Sequence, residues 1–385
     1  MTGEAAATRR RDLAIGLALW LLPLVVVGVM VMRDPERRSV TPVFHLASER
    51  WFARSDLYSD PRGYHYLPQF ALLFAPFHAL PKPLGDLLWR GLSVALVLWG
   101  LAAFLHRTAP DEPGRRFLVA CALALAPCLG AVRNGQTNLA FAGFCMLLAA
   151  SLAAGRPGAA ALCLVALVAL KPLGLVLVLL APWVYRKVLA PLAVGLGAFA
   201  ALPYVAAPAA YASAQYRNAW THLSGWSVTT ENRFADLTAL LRTAGWTLSA
   251  TASLALRAAA GLVTLLLWWR AASRSREPWR ALTLVLLGTI YLMLFNPMTE
   301  KNSYAIVAPA FAVVAAVFLE RPETRLAGNA LAFVLVSVGV LPELLWRVTR
   351  NFGLWWDPLT VLAVAIALSA AILRRGDAFA DAEAA

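Results

Sequence analysis

Long apolar runs, separated by short polar segments, fill most of this chain. Since a helix needs about 20 apolar residues to cross the hydrocarbon core of a bilayer, these runs predict membrane helices. We expect an all-α, polytopic transmembrane protein with roughly 10–12 membrane helices, including short or broken ones. The predicted spans are 13–32, 84–105, 117–132, 137–154, 159–183, 188–205, 248–269, 279–294, 305–318, 326–345 and 358–373.

Composition supports a bilayer-embedded chain. Hydrophobic residues make up 60% of the chain and charged residues only 14%, whereas soluble domains carry about 25% charged residues. The first run, Leu13–Met32, follows three arginines and is longer than a signal-peptide core, with no cleavage site after it, so we predict a retained span. The four cysteines lie inside apolar runs, which indicates neither a disulfide nor a metal site.

The net charge of +13 comes with arginines that flank the apolar runs. Such flanks set orientation and meet anionic headgroups, and since no nucleic-acid-binding motif is present, we expect a bilayer and no nucleic acid as partner. The short basic segments predict that both termini lie in the cytoplasm. With the apolar runs, they indicate a multi-pass protein of the cell membrane. We predict tails at 1–12 and 374–385 and one transmembrane domain at 13–373, with extracytoplasmic loops at 33–65 and 211–247.

A polar cluster interrupts the apolar pattern between the spans 117–132 and 137–154. The six residues are Arg133-Asn134-Gly135-Gln136-Thr137-Asn138. Backbone and side-chain polar groups at a membrane boundary must find partners or water. A cation and three amides at one turn therefore predict a polar chamber in which a ligand is bound.

A lysine and a proline break the next apolar run at Lys171-Pro172. Proline breaks a helix, and a cation at membrane depth is costly, so we predict two short helices that meet at Lys171. The ammonium could hold a lipid phosphate, or it could extend to ordinary headgroups.

Two other predicted external segments carry carboxylates that could act as a general base on a hydroxyl. The first loop offers Glu49, Asp56 and Asp60, although Asp56 could instead cap a helix and Asp60 could start a turn. The turn 295–304 offers Glu300 beside Lys301, Asn296 and Asn302, or it is an ordinary Asn-Pro turn. The chain lacks P-loop, HExxH, GxSxG and dinucleotide motifs and any metal-spaced His/Cys cluster. An activated donor would therefore be carried in the membrane. We expect no cofactor and no metal-ligating residues, and metal dependence stays open.

Four of these segments together resemble glycosyltransferase family 87, whose members are polyprenol-phosphate-mannose-dependent mannosyltransferases of the GT-C membrane class. The resemblance spans roughly Leu13 to Pro309 and rests on an ordered set of motifs. These are Asp56-Leu57-Tyr58 with Tyr64-His65-Tyr66-Leu67-Pro68, then Arg133–Asn138, Ala169-Leu170-Lys171-Pro172, and Asn296-Pro297 followed by Tyr304.

The resemblance implies a GT-C-like fold and transfer of a hexose, with inversion, from a polyprenyl-phosphate sugar to an extracytoplasmic glycolipid or glycan acceptor. Together with the residue types described above, it gives three groups of candidate site residues. Catalytic candidates are Asp56, Asp60 and Glu300; donor-phosphate candidates are Arg133, Asn134, Gln136, Asn138, Lys171 and Lys301; substrate-binding candidates are Tyr58, Tyr64, His65, Tyr66, Asn296 and Asn302.

The chain departs from the family pattern where an acidic residue normally follows the first span, because Val40-Thr41 stand there. Leu67 replaces a proline, and Asn302-Ser303 replace a histidine. The alternative is therefore a non-catalytic protein that binds or transports a polyprenyl-phosphate lipid or glycolipid. What distinguishes the two interpretations is whether one of four carboxylates points into a cavity shared with Lys171 and Arg133; the four are Asp56, Asp60, Glu49 and Glu300.

Overall fold

The computed structural model describes residues 3–60, 63–108, 113–225, 234–349 and 351–379, and helices form its secondary structure with no strand in those ranges. The helices are α1 (Gly3–Arg33), α2 (Thr41–Phe52), α3 (Pro68–His78), α4 (Lys82–Thr108), α5 (Pro113–Asn134), α6 (Asn138–Ala153), α7 (Pro157–Leu170), α8 (Leu175–Leu180), α9 (Leu189–Ala206), α10 (Ala209–Gly225), α11 (Leu237–Thr243), α12 (Ala250–Ala272), α13 (Trp279–Phe295), α14 (Ala308–Leu319), α15 (Arg325–Leu344) and α16 (Phe352–Arg375).

Seven of the described helices are long and apolar enough to cross a membrane, and five shorter apolar segments accompany them. The long ones lie within α1, α4, α5, α9, α12, α15 and α16. The shorter ones are 138–153, 157–170, 172–183, 279–295 and 308–319. The predicted all-helical, polytopic membrane architecture is confirmed. The break at Lys171 is confirmed as well, since α7 ends at Leu170 and a 3-10 turn begins at Pro172.

The centre of the bundle is formed by α6, α13 and α14, which bury residues on most sides, and α4 and α5 pack against it with about half of their apolar windows buried. Glycines let α4 and α6 approach closely: a Cβ added at Gly143 would lie 2.6 Å from the backbone carbon of Leu96. Small residues at crossings are typical of membrane helix packing. By contrast, α9 and α12 bury only 17% and 11% of their most apolar windows, so these helices face lipid.

The polar segments of the sequence meet at one end of this bundle, here called the polar end. The Val40 amide donates to the Asn134 carbonyl at 2.9 Å, and the Ala235 amide donates to the Thr299 carbonyl at 2.7 Å. The other end is held by different contacts, among them Arg116 with Glu320 at 2.7 Å. Gln136 Nε2 also donates to Glu300 Oε2 at 2.8 Å. The first loop, the hairpin turn between α5 and α6 (133–138) and the 295–304 turn are therefore neighbours in space.

Three segments differ in detail from the sequence-based expectation. Arg133 and Asn134 form the last turn of α5 and Asn138 begins α6, so the turn proper is only 135–137, with Gly135 at φ 72°. The loop 33–65 contains α2, whose residues Phe44 and Trp51 lie two turns apart on one face and are both fully buried. The loop 211–247 contains α11 and most of α10, with residues 226–233 outside the described ranges.

The predicted tails have a structure of their own where they are described. The N-terminal one is helical from Gly3 and continues into the first span. The C-terminal one follows α16, which ends at Arg375 before Gly376 with φ 76°, and Phe379 stacks on Trp279 with ring centroids 5.0 Å apart. Residues 380–385 of that tail lie outside the described ranges. The domain boundaries stay a prediction.

Candidate active site

A chain of hydrogen bonds links four of the predicted site residues at the polar end. The Lys171 ammonium donates to Asn138 Oδ1 at 2.6 Å, and Asn138 Nδ2 donates to Gln136 Oε1 at 2.6 Å. Gln136 Nε2 then donates to Glu300 Oε2 at 2.8 Å. The structure thus connects the broken helix, the hairpin turn and the 295–304 turn through a single row of side chains.

Local backbone structure fixes both ends of this row. Lys171 caps α7 in an extended conformation because Pro172 cannot continue the helix, and its amide still donates to the Leu167 carbonyl at 3.0 Å. Glu300 is the N-cap of a 3-10 helix that spans Lys301–Ile306. Its carboxylate accepts from the Ser303 backbone, and the Ser303 hydroxyl accepts from the Glu300 amide, which forms a capping box.

A groove of about 600 Å³ lies between α5 and α15, here called the α5–α15 groove. Its polar end is lined by three cationic and two acidic side chains. These are Arg38, Arg133, Lys301, Glu300 and Glu343. Its other wall is apolar, with Ala126, Pro127, Leu129, Val338 and Gly339. Gly130, Asn134 and Asn302 complete the lining.

This groove combines two chemistries that one kind of ligand needs together. Arginine and lysine side chains suit a phosphate, arginine through its fork of donors and lysine as a point charge. An apolar wall between two membrane helices suits a hydrocarbon chain. Lys171 is not among the lining residues and reaches Glu300 only through Asn138 and Gln136.

A buried ionic network on α4 supports the end of α5 beneath the groove. Arg90, 1% exposed, donates to the carbonyls of Val132 at 3.2 Å and Arg133 at 3.1 Å and to Ser39 Oγ at 2.9 Å. Asp86 lies 3.8 Å from this guanidinium. The network fixes the two segments that carry Arg133 and Arg38.

The same buried Asp86 also bonds the first loop. It accepts from Thr41 Oγ1 at 2.8 Å and lies 2.9 Å from His45 Nε2. On its other side His45 faces a separate cavity of about 340 Å³, which is where Glu49 lies, together with Glu36 and Lys82. The structure thus keeps Glu49 apart from the α5–α15 groove. Sequence patterns missed this network because Asp86 and Arg90 lie in an apolar helix and His45 in a loop.

The structure places the predicted first-loop residues outside the groove. Asp56 Oδ1 accepts from the Tyr58 amide at 3.1 Å and from Asn218 Nδ2 at 2.9 Å, so the carboxylate fastens the loop to α10. Asp60 is half-buried at the end of the loop, where its carbonyl accepts from the Gly63 amide. Neither Asp56 nor Asp60 lines the groove.

The predicted substrate-binding aromatics of the same loop use their polar atoms internally. The Tyr58 hydroxyl donates to the Tyr66 carbonyl at 2.9 Å, and the Tyr64 hydroxyl donates to the Leu67 carbonyl at 3.2 Å. His65 stacks on His222 of α10, with ring centroids 5.0 Å apart. These three side chains organise the loop.

Tyr66 is the member of that loop that reaches the bonded row. Its hydroxyl is buried near Thr137 and lies close enough to Glu300 to be affected by the charge of that carboxylate. Burial raises the pKa of Tyr66 above its ordinary value, and the negative charge of Glu300 raises it further. Tyr66 therefore stays a neutral hydrogen-bonding group beside Glu300.

The two predicted amides of the 295–304 turn have different surroundings. Asn296 shapes the turn, since its Nδ2 donates to Thr299 Oγ1 at 3.2 Å and its Oδ1 accepts from the Met298 amide at 3.4 Å. Asn302 lines the groove, beside Gly130 of α5. The described residues contain no group of three or more His, Cys, Asp or Glu side chains placed to hold a metal ion.

Two charged residues of the groove were not predicted from the sequence. Arg38 lies in the short turn after α1, where its φ of 56° directs the chain back over the bundle. Glu343 stands near the end of an otherwise apolar run, and an ionisable residue in a predicted span is by default a functional candidate. This rule predicts a functional role for Glu343, whereas no sequence pattern pointed to Arg38.

Comparison with known protein families identifies the family of the chain. The family model of glycosyltransferase family 87 matches residues 64–297. The chain belongs to glycosyltransferase family 87. It is therefore a glycosyltransferase, and its apolar helices make it a multi-pass membrane enzyme. The match includes the hairpin turn and Lys171 but ends before Glu300 and starts after Asp56. No curated protein matches the chain.

Proposed function

We propose that this glycosyltransferase moves a hexose, in particular mannose, from a polyprenyl-phosphate sugar to a glycolipid or glycan acceptor outside the cytoplasm. The observation that carries the proposal is the α5–α15 groove. Its cationic end matches a lipid phosphate, and its apolar wall matches a polyprenyl chain that lies against the membrane helices. The sugar of such a donor would lie at the charged end, near Glu300.

The proposed reaction inverts the anomeric carbon in one displacement. The acceptor hydroxyl oxygen forms the new bond to the anomeric carbon while the bond from that carbon to the phosphate oxygen breaks. Glu300 takes the hydroxyl proton, and the polyprenyl phosphate leaves with the electron pair. Arg133, Arg38 and Lys301 would stabilise the negative charge that develops on that phosphate.

The bonded row from Lys171 supports the role of Glu300 as base. Gln136 holds one carboxylate oxygen, and Gln136 is itself held by Asn138. A base with a fixed orientation accepts a proton without a search through rotamers. Asp56 is the weaker candidate, because it lies outside the groove, where its side chain joins the loop to α10.

Reconstituted protein tests the proposal directly. In liposomes we expect transfer of radiolabelled hexose from polyprenyl-phosphate mannose to a lipid or glycan acceptor. Arg133→Ala should lower kcat/KM at least about tenfold, since a charge-assisted contact to the leaving phosphate contributes about 1.5–3 kcal/mol. Arg156→Ala, an exposed arginine at the opposite end, is the matched control and should leave the rate unchanged.

Two outcomes would contradict the proposal. If wild-type protein binds the donor but releases no hexose from it, the chain is a polyprenyl-phosphate or glycolipid binder or transporter instead. If polyprenyl-phosphate glucose or galactose is turned over faster than the mannose donor, the choice of mannose is wrong.

A further inference from the structure

A second cavity adjoins the α5–α15 groove at the polar end. It measures about 280 Å³ and lies between the end of α15, the start of α16 and the turn that carries Arg38. Its lining residues are Arg38, Ala235, Lys301, Pro342, Glu343, Trp346, Gly353 and Leu354. We call it the α15–α16 cavity.

The groove and this cavity share three charged residues, Arg38, Lys301 and Glu343. Lys301 Nζ donates to Glu343 Oε1 at 2.5 Å, so one ion pair forms part of both walls. A transfer reaction needs two substrates that meet at a common boundary. The two cavities provide that arrangement, with the ion pair at the boundary.

The chemistry of the α15–α16 cavity differs from that of the groove. It lacks the long apolar wall that a lipid chain needs. Its lining carries two cations, Arg38 and Lys301, and one carboxylate, Glu343, which is paired with Lys301. Trp346, 51% exposed, offers an aromatic face next to these charges. An aromatic face beside hydrogen-bonding groups suits the apolar face and the hydroxyls of a neutral sugar ring.

A buried carboxylate behind the wall of this cavity lacks a hydrogen-bond donor. Asp357 of α16 is 0% exposed, and neither of its carboxylate oxygens has a hydrogen-bond partner among the described residues. Gly353 of the cavity wall stands next to it: a Cβ added there would lie 3.3 Å from Asp357 Oδ2. An unsatisfied buried acceptor is costly, and each one in a native structure calls for an explanation. A ligand hydroxyl that enters past the glycine would supply the missing donor.

We propose that the α15–α16 cavity binds the acceptor as a neutral, hydroxyl-rich sugar ring. The proposal rests on the function proposed above and names the acceptor class for that reaction. The ring packs on Trp346, its hydroxyls donate to Glu343 and Asp357, and Arg38 and Lys301 donate to its oxygens. The reacting hydroxyl then faces the groove across the Lys301–Glu343 pair.

The test separates acceptor binding from donor turnover. Wild-type protein in liposomes receives polyprenyl-phosphate mannose and a series of alkyl hexosides, including octyl mannoside. Transfer to the hexoside and release of free hexose to water are measured separately. Trp346→Ala should raise KM for the hexoside about tenfold, equivalent to about 1.4 kcal/mol, and should leave the donor KM and the release to water unchanged.

Two further variants sharpen the result. Gly353→Val fills the cavity beside Pro342 and should also raise the hexoside KM while hexose release persists. Trp220→Ala is the matched control, because Trp220 is an exposed tryptophan of α10 that lines neither cavity. Its kinetics should equal those of the wild type.

The outcomes distinguish the two proposals. If wild-type protein neither transfers hexose to any hexoside nor releases it to water, the proposed function is overturned. Donor turnover with an unaltered hexoside KM in both Trp346→Ala and Gly353→Val would overturn only the acceptor site. Turnover without transfer to any hexoside would overturn the neutral-sugar class.

Discussion

Single residues show where sequence patterns predict a site well and where they stop. Glu300, Lys301, Arg133 and Asn302 were each candidates by residue type, and the structure brings all four to one groove. Tyr58 carried the same kind of signal, yet its hydroxyl is used inside the loop. A sequence pattern shows that a polar side chain lies at the membrane boundary. Only the fold shows whether that side chain bonds to the protein itself or lines a groove.

The first residue-scale prediction concerns the carboxylate of Glu300. Glu300→Gln removes the proton acceptor but keeps the size of the side chain, so kcat should fall by about 10²- to 10⁴-fold, the usual contribution of general base catalysis. The donor KM should change little. Steady-state kinetics in liposomes give both values.

Asp56→Asn is the comparison for that result. It retains a hydrogen-bonding side chain at the α10 contact, and we expect kcat within about threefold of wild type, because a partly exposed hydrogen bond contributes only about 0.5–1.5 kcal/mol, mainly to the loop. A large loss of kcat for Asp56→Asn together with full activity for Glu300→Gln would transfer the base role to Asp56.

At the scale of elements, the length of the apolar runs predicted the membrane helices but not α2, α10 and α11, and the break at Lys171 followed from lysine and proline. The partners of each helix were not predictable. Asp86 and Arg90 look like polar interruptions of α4, yet they hold α2 and the end of α5. Such contacts join residues more than 40 positions apart and leave no local pattern.

Arg90 gives the element-scale prediction. Arg90→Leu leaves the carbonyls of Val132 and Arg133 without this donor and leaves Asp86 without its buried cation. Breaking a buried pair costs about 3–5 kcal/mol. We expect a clearly lower Tm for purified protein in detergent and a higher donor KM.

Arg37→Leu serves as the control for that experiment, because Arg37 is an exposed arginine in the same turn as Arg38. Its Tm should stay within about 2 °C of wild type, as for most surface substitutions. Equal Tm values for the Arg90 and Arg37 variants would show that the network does not stabilise the bundle.

For the whole molecule, hydropathy predicted the class of protein, and the placement of the polar clusters at one end followed from alternation of the spans. The contacts among the first loop, the hairpin turn and the 295–304 turn agree with that alternation. Which end faces the cytoplasm depends on the distribution of arginine and lysine, because these charges decide how the chain inserts into the membrane. The packing of the helices does not show this orientation.

Cysteine labelling tests the orientation. All four native cysteines are buried, so their background labelling is low. We expect Ser55→Cys, at the polar end, to react with a membrane-impermeant maleimide in intact cells. Arg156→Cys, at the opposite end, should react only after the membrane is permeabilised. The reverse pattern would place the polar end in the cytoplasm.

The row from Lys171 to Glu300 has a polarity that follows from its two ends. An ammonium only donates and a carboxylate only accepts, so each amide between them has one allowed orientation. Asn138 and Gln136 both present oxygen toward the lysine and nitrogen toward the glutamate. Because Lys171 can only donate, it fixes both amides by itself, and Gln136 keeps Nε2 toward Glu300 even when that carboxyl takes a proton. Lys171, two side chains away, thus determines that the proton goes to the Glu300 oxygen that Gln136 does not hold.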